Sequence, residues 1–205
     1  MNADSKKQIT KTIETHKKMV AEFEATGVKA IVDAADAIIK ALKQDGRLYI
    51  CGNGGSAADA QHIASELVGR FQRERKALPV IALTTDTSAI TSIANDYGYE
   101  NVFARQVEAL VKDGDILWAI STSGTSPNVI AAAELAKEKG AAVLAFTGTA
   151  NSRLEKIADI CFCAKNSAAR SQEIHQLAYH IICDLVEQSF SGPHVCLSAD
   201  KRGGA

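Results

Sequence analysis

Short apolar runs alternate with stretches of helical spacing along most of the chain. Five runs have the length and flanking turn residues of buried strands: Leu48-Tyr49-Ile50-Cys51 and residues 78–83, 116–120, 141–146 and 159–163. Segments of 3.6-residue periodicity surround them. Residues 5–24 place Ile9, Ile13, Met19 and Phe23 among Lys, Thr and Glu, and residues 28–42 are apolar on most of their circumference. That excess is absorbed either by a sandwiched position within the domain or by another subunit. Further helices are expected from Ser56 onward and over residues 88–94, 103–111, 128–139, 154–158 and 171–190. Strands alternating with helices imply an α/β fold, a five-stranded parallel sheet flanked by helices in a doubly wound arrangement. The expected organisation is N-terminal helices over residues 1–45 for packing and oligomerisation, a sheet domain over 46–190, and an aperiodic tail, read as mobile, over 191–205.

Two loops stand out within this pattern. The first strand breaks at Gly52-Asn53-Gly54-Gly55, where side chains would crowd, and Ser56 suits the N-cap of the helix that follows. Gly46 suits the C′ position after the preceding helix. A strand, a Gly-rich turn and a helix N-terminus form a ready anion site, since free N–H groups and the positive dipole end face the turn. The third strand runs into Ser121-Thr122-Ser123-Gly124-Thr125-Ser126, with Pro127 where a first-turn proline is favoured. One Ser suffices for a cap, so this wealth of hydroxyls points to a bound phosphate.

Composition narrows the picture. Hydrophobic residues make up 46% and aromatics 5%, so Ala, Val, Ile and Leu must build the core. Lys and Arg number 23 against 24 Asp and Glu, a net charge of -1 that argues against nucleic acid as a partner. Five cysteines without a CxxC pair support neither a disulfide scaffold nor a structural zinc site. Cys51, Cys161 and Cys183 lie in apolar runs and read as small hydrophobes. The polar N-terminus and the lack of a run of 18 apolar residues lead to an expectation of a soluble, cytoplasmic protein with no membrane partner.

The titratable candidates are fewer. His62 and Glu66 project from one helix face, a spacing that serves metal binding, acid–base chemistry or plain solvation. Gln172 and His180 lie eight apart, about 12 Å along a helix, near the limit for converging on one ion. His175 reads as a satisfied helix residue and Trp118 as core.

Taken together, four stretches carry a resemblance over residues 5–190: CGNGGSAADAQHIASELVGRF, TTDTSAITSIANDYGYENVFARQV, GDILWAISTSGTSPNV and RSQEIHQLAYHIICDLVE. The chain resembles the sugar isomerase (SIS) domain family, and within it the branch that isomerises heptose phosphates. The resemblance implies a SIS-type, flavodoxin-like sheet and a homotetramer with active sites between subunits. It also implies one divalent metal per site, Zn2+, held by His62, Glu66, Gln172 and His180. Ser56, Ser121, Thr122, Ser123 and Ser126 would hold the substrate's phosphate. Asn53, Gly54, Gly55, Asn95, Asp96 and Gln172 would line the sugar site. The implied reaction converts sedoheptulose 7-phosphate to D-glycero-D-manno-heptose 7-phosphate through an enediol, with Glu66 as base and His180 as its acid/base partner. It would feed nucleotide-activated heptose for lipopolysaccharide core or another glycan. Two rivals share the loops: an adaptor that binds the replication initiator, and a sugar-phosphate-sensing regulator. Glu66 and His180 together favour the enzyme, and no stretch remains for a DNA-binding domain.

Overall fold

The computed structural model describes residues 3–191. The expectations for the tail and for the fifth cysteine, Cys196, fall outside them. Five parallel strands form one sheet: β1 (Leu48–Gly52), β2 (Val80–Ala82), β3 (Ile116–Ser121), β4 (Ala142–Thr147) and β5 (Ile160–Cys163). Their order is β2-β1-β3-β4-β5, with Ile50 level with Trp118 and Trp118 level with Leu144. β1 and β3 are buried on both faces, so they read as unbroken apolar runs. β2 is shorter than its apolar run. Pro79 has no N–H for the ladder, and its carbonyl instead accepts from Leu48 N at 3.1 Å.

Alternate residues divide the core into two layers. Leu48, Ile50, Trp118, Ile120, Leu144, Phe146 and Phe162 face α1 (Ala3–Glu22), α2 (Val28–Lys43), α3 (Gly55–Val68) and α8 (Ala168–Phe190). Tyr49, Cys51, Leu117, Ala119, Val143 and Ala145 face α4 (Thr87–Tyr97), α5 (Ala104–Leu110), α6 (Pro127–Glu138) and α7 (Arg153–Ile157). In the first layer Trp118 meets Phe146 edge-on at 4.9 Å, and Phe162 stacks on beyond at 5.1 Å. Trp118 is core, as expected. α8 contributes Ile174, Ala178, Ile182 and Val186, a strict four-residue stripe.

The two N-terminal helices run into each other through a π turn, Phe23–Gly27. Gly27 makes this possible, because a Cβ there would lie 2.6 Å from the Phe23 ring and 2.8 Å from that of Phe162. α2 buries Ile31, Ala34, Ala35, Ile38, Ala41 and Leu42 within this chain. Val28 and Val32 stay exposed at 52% and 44%. Its end differs from expectation by one residue. Asp45, not Gly46, takes the left-handed position at φ 61°, while Gly46 N bonds the Ala41 carbonyl at 2.9 Å. Gly46 serves close approach instead, since a Cβ would meet the Gly114 carbonyl at 2.5 Å.

Cys51 and Cys183 are buried, and burial pushes the Cys51 thiol up to about 12 and the Cys183 thiol beyond its ordinary range. Half-buried Cys161 is likewise pushed up to about 12, chiefly by burial. These are packing groups, not nucleophiles.

Candidate active site

Strand order places the switch of sheet direction between β1 and β3. The chain leaves β1 toward α3 on one face and leaves β3 toward α6 on the other, which opens a crevice at their carboxyl ends. The two loops singled out by sequence meet there. At the first, the helix start differs from expectation. Gly54 is the N-cap of α3, at φ 56°, and Ser56 lies inside the first turn, buried. A positive φ is open to glycine at little cost, so the helix begins before the serine that would otherwise cap it. Gly52 lets this turn pass β3 closely, for a Cβ would meet Ser56 Cβ at 2.8 Å and the Ile120 carbonyl at 3.0 Å. Asn53 then bridges to the second loop. It donates to Asn128 Oδ1 at 2.8 Å and accepts from Asn128 Nδ2 at 2.9 Å, while the Tyr99 hydroxyl donates to Asn53 Oδ1 at 3.2 Å.

In the second loop, Ser121 is a buried hub. Its Oγ lies 2.9 Å from Ser126 Oγ and 3.3 Å from Ser123 Oγ, and it accepts from Gly124 N at 3.2 Å. Ser126 occupies the N-cap of α6 but makes no side-chain cap. Val129 N is served instead by Asn128 Oδ1 at 3.0 Å. The Ser126 hydroxyl is therefore not committed to the helix; Pro127 has no N–H and Val129 N is served, so the Asn128 N–H is the first-turn donor left for an anion. Ser123 is exposed, its Oγ accepting from Thr125 N and Thr125 Oγ1, each at 3.2 Å, besides its contact with Ser121 Oγ. Thr122 is half-buried, with its carbonyl accepting from Gly148 N at 2.9 Å.

The titratable groups converge on α3 and α8. His62 Nε2 lies 3.0 Å from Glu66 Oε1 and 3.4 Å from His180 Nε2. One ligand atom from each of the three falls within 4.8 Å of the others. Tyr179 lies against the group, its hydroxyl 3.0 Å from His62 Nδ1, and Asp59 is near enough to act electrostatically on both. In the tautomer whose Nδ1–H donates to that hydroxyl, Nε2 of His62 carries no proton. The bare Nε2 then faces Glu66 and His180. Two imidazoles with a carboxylate in this arrangement suit a divalent transition metal. His180 is held below its ordinary pKa by burial and by His62, against the pull of Glu66, which keeps it neutral and able to ligate.

Gln172 sits beside this centre. Its Nε2 donates to Asp59 Oδ2 at 3.0 Å, and its amide fills the space a side chain at Gly55 would need, 2.4 Å from the missing Cβ. Its carbonyl oxygen is the atom left for an ion or a sugar hydroxyl. Burial raises Asp59 to about 6, opposed by Gln172, His62 and Tyr179. Asn128 thus pairs with Asn53, Gln172 packs on Gly55 and bonds Asp59, and Tyr179 meets His62, all along the start of α3 and its neighbours. Asn95 and Asp96 differ. Their side chains bond each other at 2.8 Å on the exposed last turn of α4, and among the described residues no further side-chain hydrogen bond joins them to the rest of the site. Sequence reasoning passed over Asp59, Asn128 and Tyr179. Asp59 had a signal, one turn before His62 on the same helix face.

The sequence profile of the SIS domain matches residues 13–148. Phosphoheptose isomerase from Roseiflexus sp. is 52% identical over 165 residues, spanning 80% of this chain and 84% of that one. Two solved phosphoheptose isomerases share the architecture. That of Neisseria gonorrhoeae has a TM-score of 0.84 at 39% identity, covering 89% of this chain and 98% of the other. That of Francisella tularensis has a TM-score of 0.87 at 37% identity, covering 92% and 100%.

Proposed function

The chain belongs to the SIS domain family and, within it, to the phosphoheptose isomerases, and from that premise we propose how its own residues carry the reaction. It is an isomerase that interconverts sedoheptulose 7-phosphate and D-glycero-D-manno-heptose 7-phosphate in heptose biosynthesis. The observation that carries the mechanism is the convergence of His62, Glu66 and His180 within 4.8 Å, with the Gln172–Asp59 pair beside it and a hydroxyl-rich loop after β3.

A ketose becomes an aldose when a proton leaves C1, an enediol forms and a proton returns to C2, while hydroxyl and carbonyl exchange between the two oxygens. Ser56, Ser121, Thr122, Ser123 and Ser126, with the Asn128 N–H in the first turn of α6, hold the phosphate and fix the register of the sugar. Asn53, Gly54, Gly55, Asn95, Asp96 and Gln172 line the sugar. Glu66 takes the C1 proton and returns it to C2, and one carboxylate oxygen remains for this while the other faces His62. His180, neutral by burial, moves the proton between the two sugar oxygens. His62, Glu66, Gln172 and His180 would hold a divalent ion, zinc by the character of the donors, which when bound polarises the substrate carbonyl.

The enzyme works as a homotetramer with sites between subunits. Supporting this, α1, α2 and α8 each expose an apolar pair one turn apart: Ile9 with Ile13, Val28 with Val32 and Leu177 with Ile181. Residues 1–45 then act in assembly and 46–190 carry the site. A cytoplasmic location fits, and no described helix is long and apolar enough to cross a membrane. The product feeds nucleotide-activated heptose for lipopolysaccharide core or another glycan.

Elemental analysis of gently purified protein tests the metal: one divalent ion per chain is expected, largely lost in His62→Ala. Light scattering on a sizing column tests assembly, and about four chains are expected. Full activity in protein stripped of metal contradicts the first, and a monomer at micromolar concentration contradicts the second.

A further inference from the structure

Glu66 lies in the last turns of α3, and the chain beyond it, residues 69–79, has no regular structure. A loop of that length beside a reacting centre needs something to hold it. Four of its residues are basic: Arg70, Arg73, Arg75 and Lys76. What fixes it is one carboxylate. Glu187, fully buried on α8, accepts from the backbone N–H groups of Phe71 at 2.8 Å, Gln72 at 2.6 Å and Arg73 at 2.7 Å. Arg75 is its counter-charge, with Nε 3.5 Å from Glu187 Oε1 and both side chains fully buried.

Arg75 directs two further donors to the end of α3 and one to its own loop. It donates to the carbonyl of Glu66 at 2.9 Å, of Gly69 at 3.1 Å and of Lys76 at 3.0 Å. The last carbonyls of a helix have no intrahelical partner, so this guanidinium caps the turn that bears Glu66. On the other side, Phe71, whose N–H is held by Glu187, sets its ring 5.5 Å from that of His180 at a tilt of 35°. Glu187 follows His180 by seven residues on one helix, which brings both to the same face. Arg73 adds an ion pair to Asp184 on that face.

We propose that Glu187 and Arg75 are positioning residues of the isomerase centre. Through Arg75 they fix the helix end that carries Glu66, and through the loop they fix the Phe71 ring that backs His180. A buried ion pair gives a fold little net stability against an apolar substitute, so the specificity of these bonds, rather than their strength, is the reason to retain them. The inference rests on the functional reading above, since it is Glu66 and His180 that are being positioned.

Glu187→Gln and Arg75→Lys test it. The first removes the charge but keeps the size. The second keeps the charge but replaces the planar fork, whose two terminal nitrogens reach three carbonyls, with a single ammonium nitrogen. Circular dichroism confirms that each is folded at the assay temperature. Zinc affinity is then measured by competition with a chromophoric chelator, and kcat and KM are measured with sedoheptulose 7-phosphate. Zinc binding is expected to weaken by about 10- to 100-fold, the range seen when outer partners of ligands are removed. kcat is expected to fall by a similar factor while KM stays within about threefold, because the phosphate loop is untouched. A purely structural role moves the melting temperature but neither of these readouts. Folded variants with wild-type zinc affinity and wild-type kcat overturn the proposal. Should Glu187→Gln fail to fold, Arg75→Lys decides alone. An unmodified protein that binds no zinc and turns nothing over overturns the functional reading itself.

Discussion

Removing one hydroxyl from the loop after β3 should weaken substrate binding without weakening the fold. Ser123 is the position to change. It is exposed, and its Oγ accepts from Thr125 N and Thr125 Oγ1, both within reach of water, while its contact with Ser121 Oγ is long at 3.3 Å and Ser121 keeps Ser126 and Gly124 N as partners. Its loss should change the unfolding free energy by about 0.5 kcal/mol or less. Its value in the complex is different, because a hydrogen bond to a charged group contributes about 1.5–3 kcal/mol. At 1.4 kcal/mol per decade, KM for the sugar phosphate should rise about 10- to 150-fold in Ser123→Ala. The phosphate is bound alike in ground and transition states, so kcat should stay within about threefold. Steady-state kinetics followed by NMR of the product, with a urea titration alongside, separates the two effects. A folded Ser123→Ala protein with an unchanged KM would refute the assignment of this loop to phosphate.

Three further outcomes follow. Glu66→Gln, loaded with metal, should bind substrate within about tenfold of wild type while turnover falls by about 10² or more, as for loss of a general base; near-wild-type turnover removes Glu66 from that role. Gly27→Ala should lower stability by about 1–3 kcal/mol in chemical denaturation, because its Cβ would press on the Phe23 and Phe162 rings, and an unchanged midpoint contradicts that packing. His175 is buried and donates to the Thr147 carbonyl, and burial pushes its pKa down to about 4, from about 6.5 unfolded. Below pH about 6.5 the unfolded chain takes a proton that the native chain refuses. This contribution is therefore complete above 6.5 and is lost as pH falls toward 4, by up to about 3 kcal/mol. The urea midpoint should fall more steeply over that window in wild type than in His175→Gln, and equal slopes contradict the reading.

What could be read from sequence follows a physical rule: features set by neighbours along the chain were visible, and features set by distant partners were not. The five strands were visible because apolar runs were bounded by Gly, Asp and polar turns. The hydroxyl loop and the His62–Glu66 pair were visible because each is local. The start of α3 was misplaced because Gly54 takes a conformation that outranks a favoured serine cap. The π turn left the apolar spacing on either side intact and gave no signal. Asn128 resembled any first-turn residue until Asn53, 75 positions away, was seen against it. Tyr179 gained its role from His62, 117 positions away. Glu187 had the look of one more helix carboxylate, yet it is fully buried and ties down a loop more than 110 positions earlier.

The central claim is that this crevice isomerises a seven-carbon ketose phosphate with the help of a bound metal. Metal-replete protein incubated with sedoheptulose 7-phosphate, followed by NMR for the aldose, tests it most directly. The expected result is accumulation of D-glycero-D-manno-heptose 7-phosphate to equilibrium, abolished by exhaustive chelation and restored by added zinc. Folded, metal-replete protein that forms no aldose phosphate would contradict the account, as would undiminished turnover after the metal is removed.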